Sequence, residues 1–255
     1  MRIGICTGME NILFIKELGF EYAELPLNSI AALSESEFAQ LERKVEDSGV
    51  AVEAFNCFFP GSMKLTGPQA DRTIIREYAG KALRRAAALG GKIAVVGSGG
   101  ARRVPDGWDL ETGWRQFAHV LEIIGEEASI LEITAVVEPL HRGETNLINC
   151  VADGIRLVRQ VSHPHVKLLA DFYHMRLEAE PFTSIREAGE LLKHVHLANS
   201  TGRVYPADRK EDLYERFFET LKEIGYNGRI SIEAVSTDIS QDGPCALRLL
   251  KELAE

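Results

Sequence analysis

One periodicity constrains this chain more than any other. Short apolar runs alternate with helical patterns eight times along its 255 residues. The runs are Ile3–Cys6, Tyr22–Pro26, Val50–Cys57, Lys92–Val96, Ile133–Glu138, Val166–Asp171, His194–Ala198 and Arg229–Val235. Between them apolar residues recur three and four apart, as in Phe38, Leu41 and Val45, or Val151, Ile155 and Val158, the spacing of one helix face. Helices are expected from about residue 10 to 18, after Asp71, around Trp114–Ile124, near 184–192, around Leu213–Ile224 and over Ala246–Leu253. Gly19, Gly49, Gly90 and Gly225 stand between helix and strand, where a left-handed residue ends a helix. Strand, helix, glycine, strand is the rhythm of right-handed βαβ units. Eight units of about 32 residues each match a (β/α)8 TIM barrel. No Pro/Gly/Ser-rich linker divides the chain, so residues 1–255 are read as a single α/β domain. An open doubly wound sheet is the alternative, but no GxGxxG follows the first strand.

Composition excludes several partners. There are 29 basic and 38 acidic residues, a net charge of -9, which disfavours nucleic acid and anionic membranes. The four cysteines form no CxxC pair, so reduced thiols and a cytoplasmic location are expected. The first residues, MRIGICTG, carry no signal-peptide apolar region, and no stretch approaches a membrane span.

In a barrel of this kind chemistry collects at the C-terminal ends of the strands. There, four consecutive apolar runs are interrupted by Glu138, Asp171, a histidine and Glu233. Charges at such places are costly to bury unless paired or metal-bound. Each alone reads as a rim salt bridge, but the four in strand order read as an oxygen-rich site with one imidazole. That set suits Mn2+, Mg2+ or Co2+. His194 and His196 point to the same side of their strand. His196 lies nearer the rim and is the expected ligand, with His194 below it.

At these residues the chain resembles the xylose-isomerase-like barrel superfamily, and most closely its sugar epimerase branch, the D-tagatose and D-psicose 3-epimerases. The resembling segments are Val137-Glu138-Pro139 with Glu144, Asp171-Phe172-Tyr173-His174, His194-Val195-His196-Leu197 and Ile232-Glu233-Ala234. The strand end Ala54-Phe55-Asn56 and the turn Gly97-Ser98-Gly99-Gly100 extend the likeness over most of the chain. The resemblance implies that Glu138, Asp171, His196 and Glu233 hold one divalent metal ion, Mn2+ before Co2+ or Mg2+. It implies that Glu144 and His174 contact substrate hydroxyls, and it points to Arg203 as a third contact, one residue displaced from the family position. It also implies a sugar substrate and a homo-oligomer.

Such a site supports proton transfer beside a carbonyl, with the metal stabilising the enediolate. Glu138 and Glu233 are the expected acid/base pair of an isomerase or epimerase acting on a ketose or sugar phosphate. An inosose dehydratase or keto-sugar lyase would use nearly the same ligands, and a non-catalytic sugar-binding protein is a third reading. An endonuclease IV-like activity is disfavoured by seven histidines and the net charge of -9. Among lesser candidates, the Gly97–Gly100 turn with Arg102 and Arg103 reads as a plain loop, a phosphate site being its alternative. Trp108 is a candidate pocket wall and Trp114 reads as helix core. Glu24 and Asn56 read as rim structure, His141 as a loop or second-layer histidine, and Cys6 and Cys57 as space-filling.

Overall fold

The computed structural model describes residues 1–255. Eight parallel strands close into a barrel in sequence order: β1 (Arg2–Cys6), β2 (Tyr22–Pro26), β3 (Val52–Asn56), β4 (Ile93–Val96), β5 (Thr134–Val137), β6 (Val166–Asp171), β7 (Leu192–Leu197) and β8 (Arg229–Ile232). The β1–β8 seam pairs Ile3 with Ile230 and Ile5 with Ile232. The strand–helix rhythm read from the sequence is therefore the architecture, a (β/α)8 barrel.

Period-two alternation splits the apolar residues into two packed layers. Tyr22, Ala54, Ile93, Val95, Val136 and Leu169 form a small cluster of their own, separate from the main core. The main core joins the intervening strand positions, such as Ile3, Ile5, Leu168 and Val195, to the inner faces of the helices. The helices start on side-chain caps that satisfy orphan N–H groups. Ser34 forms a capping box with Glu37 ahead of Glu35–Ser48, Asp71 caps Arg72–Ala88, and Asp109 caps Leu110–Ile130. The four helix-stop glycines all have positive φ, including 60° at Gly49 and 68° at Gly225.

Several bounds shift: the last helix, expected over Ala246–Leu253, already starts at Ile239, and the eighth strand, expected to reach Val235, ends at Ile232. The first helix opens as a 3-10 turn over Met9–Asn11 and is α-helical only over Ile12–Ile15. The helix expected over 184–192 covers Thr183–Ala188, and Leu192 already belongs to β7. The mouth of the barrel also carries short helices that periodicity did not announce, Leu27–Ala32, Gly99–Arg102 and Phe172–Leu177. The last starts on Asp171, whose carboxylate accepts from the His174 N–H at 3.2 Å.

At the N-terminal ends of the strands lies a compact ion-pair network. Glu53 accepts from Arg2 Nη1 at 2.5 Å and from Arg229 Nε at 2.5 Å. No helix is long and apolar enough to cross a membrane.

Candidate active site

The four strand-end residues converge at the other end of the barrel. Glu138 directly follows β5, Asp171 ends β6, His196 sits one residue before the end of β7, and Glu233 directly follows β8. One ligand atom from each lies within 4.8 Å of the others. His196 Nδ1 is 2.9 Å from Glu138 Oε1 and 3.6 Å from Glu233 Oε2. Glu138, Asp171 and His196 are buried. The Glu138 carboxylate fits only because residue 97 is glycine, since a Cβ there would collide with it.

His196 is held from behind by a residue the sequence reading placed on the rim. Glu24 is fully buried, and its carboxylate lies 2.9 Å from His196 Nε2 and 2.8 Å from His194 Nε2. It also accepts from Ser231 Oγ at 2.6 Å, and Ser231 Oγ lies 2.8 Å from the Tyr22 hydroxyl. The same signal that found the other four, a charge inside an apolar strand, marks Glu24 within Tyr22-Ala23-Glu24-Leu25. His194 stands below the rim, as expected.

The residues expected to meet substrate gather beside this centre. Arg203 takes a left-handed conformation (φ 53°) that brings its guanidinium into the site. It donates to Glu233 Oε2 at 2.5 Å and Glu144 Oε1 at 3.2 Å, and it lies over the Tyr173 ring. His174 is buried; its Nδ1 accepts from the His141 backbone N–H at 3.2 Å, while its Nε2 has no partner. His141 stacks on it, with the two Nδ1 atoms 2.8 Å apart, so His141 belongs to the second layer rather than to an exposed loop. Asn56 also leaves the rim reading behind, since its Nδ2 donates to Glu233 Oε1 at 3.2 Å. A cavity of about 430 Å³ opens over this group, lined by Glu138, Glu144, Arg203 and Glu233 with Cys57, Phe59 and Ser98. Cys57 is therefore an exposed thiol at the mouth rather than a space-filler.

Other candidates lie elsewhere. Arg102 points inward and is fully buried, donating to the carbonyls of Glu138 at 2.8 Å and Ile148 at 3.2 Å, so it cannot meet a substrate phosphate. Arg103 borders a separate surface cavity with Lys64. Trp108 does not line the cavity over the site, and Trp114 is helix core, its indole N–H bonded to Gln160.

Charge is unbalanced at this centre. Burial pushes Glu138 up, and the nearby Glu233 and Asp171 charges add to it, against the pull of His196. Burial and Glu233 push Asp171 up to about 6. Glu233 goes the other way: burial opposes ionisation, but His196 and Arg203 prevail and lower it to about 2. His196 is raised well above its ordinary value because Glu24 and Glu233 outweigh its burial. Burial lowers His174 to about 4, leaving it neutral with Nε2–H as its free donor.

These observations fit a hard divalent cation. Metal–oxygen bonds of about 2.1 Å put neighbouring ligand atoms about 3 to 4 Å apart, the scale of this cluster. Three carboxylates around one imidazole make the matching donor set. Two of those carboxylates are pushed toward the protonated form, which a cation would reverse.

Comparison with known proteins places the chain. The family profile described as a xylose isomerase-like TIM barrel matches residues 12–253. A D-psicose 3-epimerase of Agrobacterium fabrum is 27% identical over 229 residues, covering 86% of this chain and 76% of that protein. A 3-dehydro-D-guloside 4-epimerase of Escherichia coli is 24% identical over 240 residues, covering 88% of this chain and 86% of that protein. A crystal structure of D-psicose 3-epimerase determined in the presence of D-fructose superposes with a TM-score of 0.87 at 22% identity. It covers 100% of this chain and 99% of that one, a likeness of fold.

Proposed function

Because the chain belongs to the xylose isomerase-like TIM barrel family, we propose that it is a divalent-metal-dependent sugar isomerase or epimerase that moves a proton at a carbon next to a carbonyl. Relatives named as epimerases support an enzyme acting on carbohydrates. The observation that carries the reading is the convergence of Glu138, Asp171, His196 and Glu233 beneath the cavity.

In this reading those four residues hold the cation, Mn2+ in preference to Co2+ or Mg2+. When bound, the cation supplies positive charge beside the substrate carbonyl and lowers the cost of the negative charge that grows as the neighbouring C–H loses its proton. Glu233 is the base, kept ionised by Arg203, His196 and Asn56. Glu138 is the acid that returns a proton to the other face of the carbon, and the two carboxyl groups reset by proton exchange with solvent. The unpartnered His174 Nε2–H donates to a sugar oxygen, and Glu144 and Arg203 bind hydroxyl groups. The substrate is an unphosphorylated sugar. Arg203 is the one cation lining the cavity and is already shared by two carboxylates, so a phosphate would meet carboxylates without a free countercharge.

The test is to incubate the Mn2+-loaded protein in D2O with a panel of free and phosphorylated ketoses. The expected result is deuterium at the carbon next to the carbonyl of a free ketose, with an inverted or isomerised product. Loss of water or of an aglycone would assign a lyase, and tight binding without exchange would assign a binding protein. Turnover confined to phosphorylated sugars would overturn the substrate class.

A further inference from the structure

We propose that Glu24 is the positioning residue that decides which nitrogen of His196 faces the cation, and how tightly the cation is held. This rests on the reading that Glu138, Asp171, His196 and Glu233 bind a divalent metal ion. An ionised carboxylate only accepts hydrogen bonds. Glu24 lies 2.9 Å from His196 Nε2 and 2.8 Å from His194 Nε2, so both nitrogens carry their proton. Without the cation Nδ1 shares a proton with Glu138 Oε1; a bound cation takes that proton's place, and with Nε2 still protonated the lone pair lies on Nδ1. The Nδ1 of His196 is the atom that faces Glu138 Oε1 at 2.9 Å and Glu233 Oε2 at 3.6 Å. Glu24 thus does two things at once. It fixes the ring with its lone pair toward the metal ligands, and its charge makes that lone pair more basic.

The carboxylate itself is pinned. Ser231 donates to it at 2.6 Å and accepts in turn from the Tyr22 hydroxyl at 2.8 Å. Glu24, His194, His196 and Ser231 are all fully buried, so no water competes for these bonds. One buried polar atom is left over, His194 Nδ1, which has no partner. An unpaired buried acceptor is costly. The ring that carries this cost anchors the other oxygen region of Glu24 and so keeps the carboxylate aimed at His196.

The experiment is a calorimetric titration of metal-stripped protein with Mn2+, comparing wild type with Glu24→Gln, a variant of nearly the same shape that lacks the charge. The expected result is a Kd raised roughly 10- to 100-fold in a variant whose circular dichroism matches wild type. A folded variant that binds Mn2+ within twofold of wild type overturns the inference while leaving the metal site intact. A wild type that binds no divalent ion overturns the metal-site reading itself, and this inference with it. A second measurement needs no variant to fold. In wild type labelled with 15N-histidine and loaded with diamagnetic Mg2+, His196 is expected as the Nε2–H tautomer. The Nδ1–H tautomer would overturn the role given to Glu24.

Discussion

The two ends of the barrel interior carry charged groups on the same strands and use them oppositely. At the N-terminal end Glu53 stands between Arg2 and Arg229, and each carboxylate oxygen has a guanidinium partner. Burial would raise Glu53, but these partners win and lower it. At the C-terminal end Glu138, Asp171 and Glu233 share one imidazole and one arginine, and two of the three are pushed up. Between the ends lies the apolar layer of Tyr22, Ile93, Val95, Val136 and Leu169. A charge network that balances within the chain serves stability. One that is left short of positive charge is what the proposed cation site requires.

The comparison can be broken at either end. The largest effect is expected from Glu233→Gln, which should lower deuterium exchange into substrate by about 10²- to 10⁴-fold, the usual worth of a positioned base. Its melting temperature should stay within a few degrees of wild type, and unchanged exchange would remove Glu233 from the chemistry. Next comes the metal. Mn2+ at a hundred times its Kd should stabilise the fold by about 2.7 kcal/mol. In a domain of this size that is a melting shift of about 5–10 °C, reversed by chelation. Glu53→Gln should act on the other axis alone. It should cost about 1–3 kcal/mol in denaturant unfolding, since two partly buried guanidiniums lose a partner, while turnover is unchanged. A loss of turnover there would mean the ends are coupled.

The smallest effect is in pH, and the two ends should differ in sign. Glu53 is lowered in the folded state, so its contribution is present above the unfolded carboxylate range and is lost as pH falls through the folded value. Asp171 in metal-free protein is raised to about 6, so the folded state holds a proton that the unfolded chain has released. Its effect is therefore a loss of stability as pH rises from about 4 to about 6. Melting curves of metal-free wild type and Asp171→Asn across that window should separate progressively, and saturating Mn2+ should abolish the downward slope of the wild type.

The barrel and the four central side chains were legible because their signals have few other causes. Eight spaced strand–helix units leave little room for another α/β topology, and four charges closing consecutive apolar strands must converge on one rim. Glu24 carried the same signal and was still read as rim, because sequence alone does not say how deep in the barrel a position lies. Depth here depends on strand stagger, and β3 shifts its register against β2 beside Glu24. Arg102 and Arg203 illustrate the limit in loops. Both follow strands in glycine-containing segments, yet Arg102 ends a short helix and points toward carbonyls of the interior, while Arg203, at a left-handed residue, points toward the carboxylates of the site. The helix Phe172–Leu177 was hidden for a related reason, since its N-cap is Asp171, a residue whose strand-end position drew the reading toward metal chemistry.

The seam between β1 and β8 sets a schedule for assembly. β1 leaves the ribosome before the other seven strands of the barrel, yet one of its two edges has no partner until Arg229–Ile232 has been made. At roughly 5–20 residues per second the edge waits on the order of 10 to 50 s for its mate. Such an open parallel edge is the template on which strands of other chains pair. The same seam is tied at its tip by the Met1 ammonium bonded to Asn227 and by the Arg2 N–H bonded to the Gly228 carbonyl. Crowding by sister chains and chaperone demand during synthesis should be decided in the interval before that last strand arrives.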